Sequence, residues 1–188
     1  YYLKMVSDEV RRLTRLVSSM LTMTRLQSDE QALRPSRFDF AELLLSVVVS
    51  MEQKITDKRL DVRGFENLSH TEILADKDLI YQVVYNLVDN AIKYSSGGGF
   101  IEFTSHRIGD RLEFSVINSG VGMLPEDLPY VFDRCYKADK SRSGNKDSLG
   151  LGLYITKTIV ELHEGEISVQ SEPDKTTAFT VSLPIKIH

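Results

Sequence analysis

The sequence predicts an α+β fold in two layers, preceded by one helix of a helical bundle. Three observations carry this. Residues 1–27 hold an apolar seam at Leu3, Val6, Val10, Leu13, Val17 and Met20, stepping by three and four as bundle helices do. A polar stretch with one proline, 28–38, then breaks the pattern and marks a domain boundary. Beyond it, amphipathic helical segments and alternating strand segments segregate into a helical and a strand layer.

The elements follow in order. Leu16 and Met23 widen the first seam, which favours a bundle over a two-stranded coil, and the seam needs a covering partner. The abrupt opening at Tyr1 suggests truncation upstream. A helix is expected over 39–56, with Phe40, Leu44, Val47, Met51 and Ile55 as its apolar face and Asp39 and Glu42 as a capping box. LDVRGF and TEIL, within 60–74, are short strands. Residues 76–94 form the central helix, with Ile80, Val84, Leu87 and Ala91 on the buried side. SSGGG (95–99) is a turn, and IEFTSHRI and RLEFSVI pair as a hairpin through Gly109-Asp110. A short helix is expected near Pro125–Val131, a polar lid at 137–148, and a helix over Leu151–His163. EISVQS and TAFTVSLPI close the chain as strands.

Composition narrows the classes. Of 188 residues, 41% are hydrophobic and 27% charged, enough for a core in a soluble protein. A formal charge of -4 gives no global attraction to nucleic acid or anionic membrane. The single cysteine, Cys135, excludes an intrachain disulfide and a multi-cysteine zinc site. No apolar run is long enough to span a bilayer.

The central helix carries the chemistry. Asn86 and Asn90 lie one turn apart, followed by Lys93 and Tyr94, so two carboxamides, an ammonium and a phenol share a polar side. A carboxamide oxygen suits Mg²⁺ that already holds phosphates, and lysine suits phosphate oxygens. On the helix alone, an ordinary solvated face accounts for the pattern equally well. Two glycine motifs follow, VINSGVGM (116–123) and GLGLYITK (150–157). The second opens a helix whose free N–H groups attract anions.

NLVDNAIKYS (86–95) closely resembles the N box of sensor histidine kinases, members of the ATPase superfamily that includes gyrase B, Hsp90 and MutL. VINSGVGM, VFDRCYKADK and GLGL follow in the family's order, so the resemblance covers nearly the whole chain. It implies a two-layer α/β sandwich of the histidine-kinase, Hsp90 and gyrase type at 34–188. It also implies a partial dimerisation and phosphoacceptor domain, the second hairpin helix and linker, at 1–33. The implied activity is transfer of the γ-phosphoryl of Mg·ATP to a histidine, for relay to a response regulator.

By the same resemblance Asn86 and Asn90 orient phosphates and Mg²⁺, with Asn90 the metal ligand. Lys93 binds phosphate and Tyr94 packs by the base. Asn118 reads adenine where the family usually has Asp. Gly120 and Gly122 open the site, and Gly150, Leu151, Gly152 and Leu153 meet the phosphates. Lys137 or Arg134 reaches the γ-phosphate, and Phe132 anchors the lid. Cys135 is read as a packing residue. Ser148 and Glu164 stand where glycines are usual. None of the four histidines, His70, His106, His163 and His188, has the context of a phosphoacceptor, and His163 is read as a structural helix-end residue.

The implied partners are the chain's own dimerisation hairpin in a homodimer and a response regulator, with no nucleic acid. Membrane contact comes only through upstream segments, so this piece is cytoplasmic and the full-length protein sits in a bacterial membrane. Two other readings stay open. One is a non-catalytic nucleotide-sensing module. The other is a chaperone- or topoisomerase-type ATPase, against which stands Asn86 at the position of that class's catalytic Glu.

Overall fold

The computed structural model describes Val10, residues 33–136 and residues 150–186. The remaining positions of the bundle helix at 1–27, the lid at 137–148, Lys137 and His188 lie outside the described residues.

Strand β1, Pro35–Asp39, pairs antiparallel with β3, Glu72–Asp76. The linker expected over 28–38 therefore ends at Pro35. Proline is tolerated as the first residue of this strand, and Phe38 turns inward to 7% exposure. β2 (Asp61–Arg63), β4 (Phe100–Ile108), β5 (Arg111–Ser119), β6 (Glu166–Glu172) and β7 (Thr176–Pro184) build a five-stranded sheet in the order β2-β4-β5-β7-β6. Only β2 with β4 is parallel. β4 and β5 form the expected hairpin, with Ile108 opposite Arg111 across Gly109-Asp110.

Alternation decides which sheet face is covered. Ile101 and Phe103, then Leu112, Phe114 and Val116, then Phe179, Val181 and Leu183 are all buried. Helices α1 (Phe40–Ser50), α3 (Lys77–Tyr94) and α4 (Gly152–Leu162) supply the second layer. Their apolar sides join the inward strand residues in one core, where Phe40 meets Phe114 at 4.5 Å between ring centroids. Ile80, Val84, Leu87 and Ala91 of α3 all lie in that core, as their spacing predicts.

The helix expected over 39–56 is two helices, α1 and α2 (Glu52–Asp57), broken at Met51. The Ser50 hydroxyl donates to Val47 O at 2.6 Å, the carbonyl that Met51 N–H would use in a continued helix. Met51 N–H turns to Val48 O instead, at 3.0 Å. The apolar face is unaffected, because Met51 and Ile55 stay buried. Asp39 caps α1 by accepting from the amides of Ala41 and Glu42. In place of a helix near Pro125–Val131 there is a single 3-10 turn, Leu128–Tyr130. In the last helix Leu162 is 36% exposed, so the apolar side there is narrower than its composition suggests. Among the described residues, no helix is long and apolar enough to cross a membrane.

His163 follows α4 and is fully buried. Its Nδ1 lies 2.8 Å from Ile159 O, a carbonyl that can only accept. That places the proton on Nδ1 and leaves Nε2 to accept from the Asp76 N–H, at 3.2 Å. The neutral ring thus joins the end of α4 to the N-cap of α3. Burial pulls its pKa below 6.5, against smaller opposing effects from the Ile159 bond and the Asp76 charge.

The unfolded chain therefore protonates this residue first. The associated stability is complete above about pH 6.5, begins to fall below it, and is fully lost once pH drops beneath the depressed folded value. Thermal unfolding between pH 8 and 5 should show the melting temperature falling on the acid side of neutrality. His163→Phe leaves the Asp76 N–H without its acceptor and should cost about 1–3 kcal/mol at pH 8. It should also flatten the acid slope, and an unchanged slope would contradict this origin.

Candidate functional site

Asp76 N-caps α3 by accepting from Leu79 N–H at 3.2 Å. With the apolar side of α3 locked in the core, the half-buried Asn86, Asn90, Lys93 and Tyr94 fall on its other side, as their spacing predicts. From Asn86 to Tyr94 this row runs roughly 12 Å along the helix.

At one end of the row, Asn86 Nδ2 donates to Gly152 O and to Thr156 Oγ1, each at 3.3 Å. This fixes Asn86 against the first turn of α4. Leu151 N-caps that helix without a side-chain hydrogen bond, so among the described residues the first-turn amides, including those of Gly152 and Leu153, have no capping side chain. Leu151 and the partly buried Leu153 pack into the core and hold the turn in place. Gly150 needs its left-handed φ of 69°, and a Cβ there would also collide with the backbone of Cys135 and Tyr136. Gly152 has room for one, the nearest atom being Asn86 Cγ at 4.0 Å.

At the other end, Ser95 pairs with Gly120 in an isolated antiparallel bridge. Any side chain on Gly120 would land on the Tyr94 carbonyl oxygen, and one on Gly122 on that of Glu172. Both glycines thus have a steric reason to be glycine that is independent of any ligand. Asn118, two residues before Gly120, is 3% exposed on the inner face of β5. Its Nδ2 donates to Ser119 O at 3.3 Å, and its Oδ1 has no hydrogen-bond partner among the described residues. A buried, unpartnered carbonyl oxygen suits a donor from an incoming ligand. Asn90 likewise makes no side-chain hydrogen bond among the described residues, which leaves its oxygen available to a cation. Lys93 Nζ stays beside Tyr94, 3.2 Å from its hydroxyl and 4.7 Å from its ring centroid.

Two residues that sequence reasoning passed over lie in register with Asn118. Thr177 is its cross-strand neighbour on β7, and Ser171 is opposite Thr177 on β6. Their hydroxyls are 2.8 Å apart, and Ser171 Oγ also accepts from Met123 N–H at 2.9 Å. The signal was a hydroxyl in the inward phase of Thr177, Phe179, Val181 and Leu183.

The VFDRCYK stretch packs differently from expectation in part. Phe132 meets Phe179 edge-on at 6.2 Å. Cys135 is exposed, with a left-handed φ of 63°, and so is no packing residue. Its N–H donates to Gly150 O at 3.2 Å, which brings residues 135 and 150 side by side. Tyr136 donates to Asp127 at 2.5 Å, and chiefly that bond pushes its pKa up to about 12. Arg134 lines a surface depression with Phe132, Asp133, Tyr154, Lys157, Thr158 and Glu161. By helical phase those α4 residues lie away from Gly152 and Thr156, so Arg134 is not brought to Asn86. Among the described residues, no group of three or more His, Cys, Asp or Glu side chains could hold a metal.

A family model described as histidine kinase-, DNA gyrase B-, and HSP90-like ATPase matches residues 75–187. The sensor protein SrrB of Staphylococcus aureus is 35% identical over 182 residues, covering 97% of this chain and 31% of the relative. The chain thus spans about a third of the length of such curated relatives. The catalytic domain of histidine kinase ThkA superposes with a TM-score of 0.71 at 28% identity, covering 81% of this chain and 97% of that one. ThkA in complex with response regulator TrrA gives a TM-score of 0.76 at 27% identity, covering 97% of this chain and 50% of that one. Full-length ShkA in complex with AMPPNP gives 0.83 at 25%, covering 97% and 38%.

The two glycines at opposite ends of the row should respond differently to a methyl group. Gly120→Ala must displace the Tyr94 carbonyl and should cost about 1–3 kcal/mol. Gly152→Ala enters open space and should leave the melting temperature within a degree or two or raise it. Parallel thermal melts of the two variants check this.

Proposed function

Because the chain belongs to the histidine kinase-, DNA gyrase B- and HSP90-like ATPase family, as an ATP-binding domain of the sensor histidine kinase type, we propose that it holds Mg·ATP along the row from Asn118 to the first turn of α4. The γ-phosphoryl then passes to a histidine outside this chain, on the dimerisation hairpin of a homodimer, and onward to a response regulator. One neighbour, ThkA, was solved with such a regulator. The full-length protein would meet a membrane only through other segments. The boundary between a partial dimerisation domain at 1–33 and the ATP-binding domain at 34–188 belongs to the same proposal.

The observation that carries the reading is the unpartnered Oδ1 of the buried Asn118. In the proposal it accepts from the adenine amino group, and Tyr94 packs by the base. Lys93 meets phosphate oxygens. Asn90 supplies a neutral oxygen to Mg²⁺, which would neutralise phosphate charge when bound. Asn86, held on Gly152 and Thr156, keeps the α4 amides of Gly152 and Leu153 facing the phosphate end. Gly120 and Gly122 keep the strand end close to the helix, and Gly150 and Leu151 set the approach to α4. Lys137 is proposed to reach the γ-phosphate from the adjoining segment. Arg134 can join it only if the stretch around it moves from the α4 depression.

A carboxamide cannot take a proton from water as a carboxylate does, so Asn86 disfavours direct hydrolysis. Phosphoryl transfer then rests on positioning and charge stabilisation.

Calorimetry with ATP, with and without Mg²⁺, tests the site. The chain should bind ATP, and more tightly with Mg²⁺. Asn118→Ala should weaken binding by about 1–3 kcal/mol, whereas Asn118→Asp preserves or tightens it. Parent-like affinity in Asn118→Ala would remove Asn118 from the site. Incubated alone with γ-labelled ATP, the chain should bind nucleotide without labelling itself. Strong self-labelling would mean that one of its own residues is the acceptor.

A further inference from the structure

The C-terminus of α3 ends in an unusual cap. A helix leaves its last four carbonyls without intrahelical donors. Ala91 O takes the amide and hydroxyl of Ser95, at 3.0 and 2.6 Å. Tyr94 O faces Gly120. The other two, Ile92 O and Lys93 O, accept from Lys58 Nζ at 2.7 and 2.8 Å, and Ser95 O accepts its third bond at 3.0 Å. Lys58 thus spends all three N–H donors on backbone carbonyls. No carboxylate oxygen lies within ion-pair distance of its ammonium among the described residues. The same residue holds the following turn, since Gly98 N–H donates to Lys58 O at 3.0 Å.

Here two tethers meet. Lys58 fixes the helix end and Ser95, while Ser95 is bridged to Gly120, the residue that follows the strand carrying Asn118. A positive charge beside C-terminal carbonyls also opposes the negative end of the helix. We infer that Lys58 is a positioning residue for nucleotide: its ammonium sets the last turn of α3, and with it Lys93, Tyr94 and Asn90, against the Asn118 strand. The inference rests on the nucleotide reading above. Lys58 itself need not touch the ligand. Its loss should act on groups carried by α3 more than on Asn118, which the sheet holds independently.

The test compares the 188-residue chain with Lys58→Met, which keeps the stem's length and removes the donors. Leu60→Ala, at a buried residue whose amide bonds to Ile55 O, is the control for general destabilisation. All three are measured well below their melting temperatures. Amide exchange without nucleotide should quicken at least tenfold around residues 92–96 in Lys58→Met, and not in Leu60→Ala. Lys58→Met should lose tenfold or more in affinity for Mg·ATP. Its affinity for adenosine, followed by NMR shifts, should fall by a clearly smaller factor than its affinity for Mg·ATP, because Tyr94 loosens while Asn118 stays in place. Leu60→Ala should keep parent affinity for both ligands.

Parent-like Mg·ATP binding by Lys58→Met overturns the role of Lys58 alone. So does an equal loss for ATP and adenosine shared by Leu60→Ala, because that marks general loosening. Failure of the parent chain to bind ATP overturns the nucleotide reading and the role of Lys58 within it.

Discussion

A single helix with both ends fastened from outside governs this domain. One side of α3 is buried against the sheet and the neighbouring helices, and its other side carries the polar row. At its start, the buried neutral ring of His163 accepts from the N-cap amide of Asp76. At its finish, Lys58 holds the terminal carbonyls. Neither fastener lies on the helix. Burial sets which way the helix faces, since a rotation would expose Val84 and Leu87, and truncating such a side chain costs roughly 2–5 kcal/mol. The two end contacts oppose sliding along the axis, which burial alone resists weakly.

That division explains why the polar residues lie in line. Asn86 is held by α4, Tyr94 and Ser95 abut Gly120, and Asn90 and Lys93 lie between. The row therefore joins the helical layer to the end of the sheet. Asn118 belongs to the sheet, and its inward phase comes from the same alternation that buries Phe114 and Val116. A side chain at that phase must be apolar or find a partner. Asn118 has only half of one, and the neighbouring Thr177 and Ser171 satisfy each other.

Much of this could be read from the residues. The 3–4 periodicity fixed α3 and its buried side, the two-residue turn at Gly109-Asp110 fixed the hairpin, and motif order pointed to the family. What escaped detection depends on contacts between residues distant in sequence. The break at Met51, where the Ser50 hydroxyl bonds to Val47 O, lies in a segment whose apolar spacing continues unbroken. Pro35–Asp39 looks like linker because its pairing partner lies past residue 71. No motif singles out Lys58, and its acceptors are more than thirty residues away. Arg134 falls within a motif match, yet its side chain sits on the far side of α4. Sequence order cannot show that a matching residue faces another way.

The carboxamide at position 118 follows from the same physics. A carboxylate as deeply buried as Asn118 would carry a desolvation cost, offset only by strong hydrogen bonds or a nearby cation. Lys93 is drawn to Tyr94 and Lys58 is spent on carbonyls, so neither offers that compensation in the described arrangement. A carboxamide retains the acceptor oxygen and avoids the charge. It gives up the stronger bond that an ionised acceptor makes. In the proposed adenine role, Asn118 would exchange some ligand affinity for a site that stays stable without ligand. In such a site, selectivity for the base would come from where the oxygen is held rather than from its charge. The Asn118 strand and the end of α3 must then be kept in fixed relation, and the Ser95–Gly120 bridge is the contact that joins them.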